Sequence, residues 1–242
     1  MFRPSVPHWI ALPLLVTTAT LAAAESLTVR NFSFELPATT FVDPRIESWN
    51  KTPQPEWFVP QGGITWDQLS GVFANTAPGS ATHISNLDGN QAVYLFALPQ
   101  AGLTQVLDSK YEAGLQYTMT VALRGGGNIT EGTSLMLGLF YLDDAGAPVS
   151  VAIASVSYSA AGFGDPSQLQ DRQVVSGVIG AGADLVGKNI GVQIIGTSGG
   201  GEGYWDMDNV RVTAEVVPEP QTWALLALGV SGLLVAGRRN RK

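Results

Sequence analysis

Cysteine is absent from the whole chain. No disulfide, thiolate nucleophile, iron–sulfur cluster or thiolate zinc site is open to it. Histidine is nearly as scarce, with two in 242 residues: His8 near the start and His83 in Ala-Thr-His-Ile-Ser. A histidine metal cluster is therefore excluded, and any Ser-His-Asp triad would have to use His83. Charge is sparse as well. Only 14% of residues are Asp, Glu, Lys or Arg, a poor composition for amphipathic helices. Between residues 25 and 217 there are eight Lys and Arg against 19 Asp and Glu, a net charge of −11. That balance repels phosphate backbones, and no basic stripe with interleaved aromatics occurs, so nucleic acid is not an expected partner. Acidity does suit divalent cations, which take oxygen ligands.

What is abundant is β-forming. The chain carries 28 Gly and 14 Pro among many Val and Thr, the composition of strands joined by tight turns. Both ends read as processing segments. The start has Arg3, an apolar run from Ile10 to Ala23 and an Ala22-Ala23-Ala24 exit before Glu25. This predicts a signal peptide over 1–24, an uncleaved anchor being the alternative reading. At the far end, Pro218-Glu219-Pro220 precedes an apolar stretch, Trp223 to Gly237, and a basic terminus, Arg238-Arg239-Asn240-Arg241-Lys242. The basic cluster would stay cytoplasmic while the preceding domain lies outside, a stop-transfer arrangement.

The Pro-Glu-Pro triplet, the short apolar segment and the Arg-rich end, in that order, resemble the PEP-CTERM sorting signal of exopolysaccharide-producing Gram-negative bacteria. The resemblance covers 218–242. It implies an exported protein handled by signal peptidase and an exosortase, held transiently in the inner membrane as a transmembrane helix, and delivered to the cell surface, outer membrane or matrix.

The intervening residues 25–217 have room for one β domain with a full core. In Leu115–Arg124, Leu115, Tyr117, Met119, Val121 and Leu123 share one face, and Gln116, Thr118, Thr120 and Arg124 the other, the period of a half-buried strand. Similar segments are Gln91–Leu98, Leu103–Leu107, Ser134–Leu142, Val149–Ser157, Arg172–Ile179, Asn189–Thr197 and Tyr204–Ala214. Roughly nine or ten strands without a helix predict an all-β sandwich or jelly roll. Ala38–Gly63 lacks periodicity and reads as an ordered loop that tucks Trp49, Trp57 and Phe58 against the sandwich.

The domain opens with Val29-Arg-Asn-Phe-Ser-Phe-Glu35 and closes with Tyr204-Trp-Asp-Met-Asp-Asn-Val-Arg-Val212. Between them lie Leu87-Asp-Gly-Asn-Gln-Ala-Val-Tyr-Leu95 and Ala113-Gly-Leu-Gln-Tyr-Thr-Met-Thr-Val121. That order resembles carbohydrate-binding-module-type jelly rolls, and is also similar to the domain of hapalindole-type cyclases. The first resemblance implies a structural calcium tying the first strand to the last through Glu35 and Asp208. The second implies an acid, Asp206 or Asp208, inside an aromatic-lined pocket to which Tyr94, Phe140 or Trp205 would contribute.

The residues supply their own reading of the calcium site. Asp206 and Asp208 are two apart and share a strand face, which Val210 and Val212 would continue; Asn31, Ser33 and Glu35 would share a face opposite Phe32 and Phe34. A carboxylate leading into an apolar face needs a partner or a cation, so the expected metal set is Glu35, Asp208, Asp206 and Asn31. Trp57 and Trp66 are the candidate platforms for stacking a sugar ring. Together these features predict a non-enzymatic surface or matrix protein that engages extracellular polysaccharide. A calcium-dependent cyclase or hydrolase is the alternative, and it requires an apolar pocket beside Asp206 or Asp208.

Overall fold

A computed structural model describes residues 24–60, 62–200 and 202–217; the expected signal peptide and sorting tail lie outside the described residues. Twelve strands follow one another: β1 (Glu25–Leu27), β2 (Val42–Asp43), β3 (Asn50–Lys51), β4 (Ser70–Ala74), β5 (Gln91–Phe96), β6 (Gly102–Lys110), β7 (Leu115–Gly126), β8 (Ser134–Leu142), β9 (Pro148–Ser157), β10 (Gln170–Val175), β11 (Asn189–Ser198) and β12 (Tyr204–Val216). They form two antiparallel sheets. One orders β10-β7-β12-β5-β4-β2, with β1 also on β12; the other orders β3-β6-β11-β8-β9. This is the expected all-β jelly-roll sandwich. The count exceeds the expectation because β1, β2 and β3 are only two or three residues long and β4 has too few residues to show a period. A single helical turn, Ala160–Phe163, joins β9 to β10.

Period-two patterning builds the core between the sheets. On β7, Tyr117, Met119, Val121 and Leu123 are buried, as their alternation requires, and on β8 Leu135, Leu137 and Leu139 face them from the other sheet. Each fully buried side chain of this kind contributes roughly 2 kcal/mol through the area it removes from water. Trp205 and Met207 of β12 enter the same core. A close approach fixes one glycine: a Cβ at Gly191 would lie 2.4 Å from the ring of Phe140, which covers it from β8.

The outward face of the larger sheet is also covered, at one end. The segment between β4 and β5 folds back so that Ile84 packs with Ala122 and Leu169, with Phe73 and Leu87 at the margin. Side-chain amides staple it. Asn75 exchanges two bonds with the backbone of Ile84, 2.8 and 3.0 Å, and Asn86 exchanges two with Leu169. The uncovered part of that face is where the site lies.

Candidate functional site

The sequence places Asp206, Asp208, Val210 and Val212 on one face of a strand, but β12 does not keep its alternation. Asp208 pairs with Ala122, while Arg211 pairs with Thr120, so the strand carries one extra residue between them. That residue is a β-bulge at Asn209, in the left-handed region at φ 51°, which asparagine tolerates. The bulge puts Val210 and Val212 into the core with Trp205 and Met207, and leaves Asp206 and Asp208 on the opposite, outward face.

The opening segment departs further from expectation. Asn31 to Phe34 form a turn, with Asn31 and Phe34 at positive φ, so no strand face collects Asn31, Ser33 and Glu35. Phe34 is fully buried and Phe32 is 41% exposed. Asn31 spends its amide on this turn: Nδ2 donates to the carbonyls of Leu36 and Glu47, and Oδ1 accepts from the Leu36 N–H.

Glu35 and Asp208 meet at the same turn. Oε1 of Glu35 accepts from the N–H groups of Asn90 and Gln91, both at 2.8 Å. Oδ2 of Asp208 accepts from the Asp88 N–H and Oδ1 from the Asn209 N–H, both at 2.7 Å. Gly89 makes this possible: it sits at φ 115°, and a Cβ there would fall 2.3 Å from Glu35 Oε1. Residues 88–91 therefore join the first segment of the domain to the last strand through backbone donors. Burial pushes the Asp208 carboxyl up to about 7, with the neighbouring Asp88 and Glu35 carboxylates adding to the rise.

Asp206 has a different neighbourhood. Its Oδ2 accepts from Nε of Arg124 at 3.0 Å across the β7–β12 ladder, and both side chains are buried. Arg124 also donates to the carbonyls of Pro166 and Thr82, tying two covering loops to the pair. The second oxygen, Oδ1, is buried and has no hydrogen-bond partner. Burial pushes Asp206 up to about 6, against the pull of the Arg124 guanidinium.

Asp206 and Arg124 form the polar floor of a largely apolar cavity of about 590 Å³ walled by Phe41, Phe73, Tyr94, Phe96 and Tyr204. Tyr94, Phe96 and Tyr204 form a chain of ring contacts, 6.0 and 6.1 Å between successive centroids. Of the rings expected from the sequence, Tyr94 lines the cavity. Trp205 is in the core against Tyr158 and Phe163, and Phe140 lies on the other sheet. Phe73, Phe96, Tyr204 and Arg124 were missed: parity puts Tyr204 on the face of Asp206 and Phe96 on that of Tyr94, but only the sheet register brings them together and sets Arg124 directly opposite Asp206.

The tryptophan platforms also separate. Trp66 is buried, and its indole N–H donates to the Thr52 carbonyl at 2.7 Å, so it offers no open face to a sugar. Trp57, expected under cover, is 48% exposed and stands edge-on to Trp66 and Phe58.

Compared with known proteins, residues 25–213 match the family described as HpiC1 cyclase, HpiC1-like. The chain belongs to the HpiC1-like family. The PEP-CTERM protein-sorting motif matches residues 216–242 and marks this family member for export and sorting, with processing by an exosortase. Among solved structures, a Stig cyclase, Fisc, from Fischerella sp. TAU in complex with (3Z)-3-(1-methyl-2-pyrrolidinylidene)-3H-indole is 22% identical, with TM-score 0.62, and covers 81% of this chain and 100% of its own. A cyclase from Fischerella sp. TAU in complex with 4-(1H-indol-3-yl)butan-2-one is 23% identical with the same TM-score and coverage. The CBM22-1 xylan-binding domain of Paenibacillus barcinonensis Xyn10C is more distant, at 12% identity and TM-score 0.44 over 83% of this chain and 100% of that one. At these identities the first two likenesses concern the fold, and the third carries no argument. None of the curated proteins matches the sequence.

Proposed function

We propose that this exported HpiC1-like domain binds an apolar, unsaturated ring compound in the cavity over Asp206 and exchanges a proton with it. One observation carries the reading: Asp206, whose buried Oδ1 has no hydrogen-bond partner, lines an aromatic-walled cavity. An unpaired buried polar atom is costly to keep, and such groups concentrate at functional sites. A carboxyl held at about 6 is close enough to neutral pH to give a proton to a π bond and take one back, so an isomerisation or ring closure could run with no other reactant. Arg124 holds the other oxygen, Oδ2, and so fixes the orientation of the carboxyl group. The aromatic walls suit a ligand that becomes cationic when protonated.

The test uses 4-(1H-indol-3-yl)butan-2-one as a binding probe and alkenyl indoles in D2O as reactants. Binding, with deuterium appearing in the alkenyl indole and lost in Asp206→Asn, supports the reading. An absence of both binding and exchange sinks it.

Calcium belongs to the same proposal as a structural ion. Glu35 and Asp208, with Asp88 beside them, form a like-charged group that a cation would relieve. Among the described residues no three acidic or histidine side chains are arranged to hold a metal, so backbone carbonyls would supply the rest of the shell. Asn31 and Asp206, already engaged elsewhere, are not part of it. A second reading, association with extracellular polysaccharide, is supported by exposed Trp57 alone. It predicts that Trp57→Ala weakens retention on polysaccharide gels, and unchanged retention removes it.

A further inference from the structure

A second cavity, about 740 Å³, lies beside the first, and Ala74 and Thr76 line both. Its character is opposite. No aromatic ring other than the His83 imidazole lines it, and its polar and apolar surfaces are mixed, with Ile84 and Leu87 against Glu35, His83 and Asn90. His83 Nδ1 lies 2.6 Å from the Thr76 carbonyl. A carbonyl can only accept, so Nδ1 carries the hydrogen and Nε2 of the neutral ring is left as an acceptor. The Asn90 side chain, exposed at the same cavity, is engaged in no hydrogen bond among the described residues. The open His83 nitrogen and the unengaged Asn90 amide, beside Ile84 and Leu87, match a ring that is hydroxylated on its edges and aliphatic on its faces.

We infer that the ligand is bipartite: an apolar ring seated over Asp206 carries a hydroxyl-rich arm, of the chemistry of a sugar, that passes Ala74 and Thr76 into the second cavity. The inference rests on the proposed function for its apolar half and adds the class of compound, a glycosylated aromatic. One or two extra hydrogen bonds to neutral groups amount to about a tenfold gain in affinity.

The experiment measures binding of 2-naphthol and of its β-glucoside to the full chain. The glucoside is expected to bind about tenfold more tightly. Two variants should erase that gain and leave 2-naphthol unaffected: His83→Ala, which removes the acceptor, and Ala77→Trp, which fills the cavity from an exposed loop position without touching the core. Equal or weaker binding of the glucoside, or a gain that survives both variants, overturns the bipartite ligand while the apolar site stands. If 2-naphthol itself does not bind, both readings fall together.

Discussion

Two carboxylates on one strand face, roughly 7 Å of chain apart, are both held up by burial, and the effect has a measurable sign. Burial raises Asp206 to about 6 and Asp208 to about 7 from an ordinary value near 3.8. The folded protein therefore keeps protons that the unfolded chain has released. Their contribution is fully present below about pH 4 and is lost as pH rises through 6 to 7; it is on the order of 3 kcal/mol for Asp206 and about 4 kcal/mol for Asp208. The carboxyls that burial does not raise act elsewhere. Arg45 holds Asp43 down at about 2, and Lys188 lowers Asp144, so their effect lies below pH 4 and does not mask the trend. The melting temperature in EGTA should fall between pH 4.5 and 7.5, and Asp206→Asn should flatten the fall. A melting temperature constant or rising across that window would contradict the burial assigned to both groups.

At the scale of the element, β12 makes the site possible because it changes face once. Apolar residues occupy 205 and 207, then 210, 212 and 214, and the jump from odd to even positions is the mark of the Asn209 bulge. Deleting Asn209 should restore an unbroken alternation in which Val210 and Val212 still face the core, so the variant should unfold cooperatively and lose mainly the local bonds at the bulge, Asn209 N–H to Asp208 Oδ1 and Val210 N–H to the Phe32 carbonyl. Asn209→Gly keeps the left-handed conformation available and should change stability by less than about 1 kcal/mol. Thermal denaturation of the two variants checks both outcomes, and a deletion that no longer unfolds cooperatively would contradict the parity assigned to β12. The same strand shows what was legible. Period-two runs with strong apolar faces, such as Leu115–Leu123, gave their strands away because burial on one side forces the pattern. Asp206 and Asp208 stood out as acids in an apolar context. The bulge was visible in the parity of the apolar residues but hidden by the unbroken polar–apolar look of Asp206 to Val212. Which rings meet over Asp206 was not legible, because pairing of β5 with β12, 108 positions on at Phe96 and Tyr204, is set by the whole sheet. Trp57 and Trp66 could not be told apart either, since nothing local says which indole finds the Thr52 carbonyl.

For the whole molecule, the chain's own path sets the direction in which the site faces. β12 enters at Tyr204, beside the cavity, and runs 13 residues to Val216, roughly 40 Å at ~3.3 Å per residue. β1 pairs with its far end, Glu25 against Ala214, so the junctions to both terminal segments leave from the end opposite the cavity. The first segment and the last strand are joined at the cavity side through residues 88–91, the carboxylates of Glu35 and Asp208, and the bond from the Val210 N–H to the Phe32 carbonyl, and calcium would act on that joint. An ion bound only by the folded state stabilises by RT ln(1 + [L]/Kd), about 2.7 kcal/mol at a hundredfold excess over Kd. Millimolar calcium should raise the melting temperature relative to EGTA. The rise should be larger at pH 7.5 than at pH 5, because Asp208 at about 7 must lose its proton to bind the ion. Glu35→Ala and Asp208→Ala should each abolish the rise, whereas Asn31→Ala should lower stability and leave the calcium response intact. A calcium shift of equal size in Asp208→Ala would place the ion elsewhere. No shift at either pH would mean that these hydrogen bonds make the joint by themselves, and that the fold closes its first segment on its last strand without a metal.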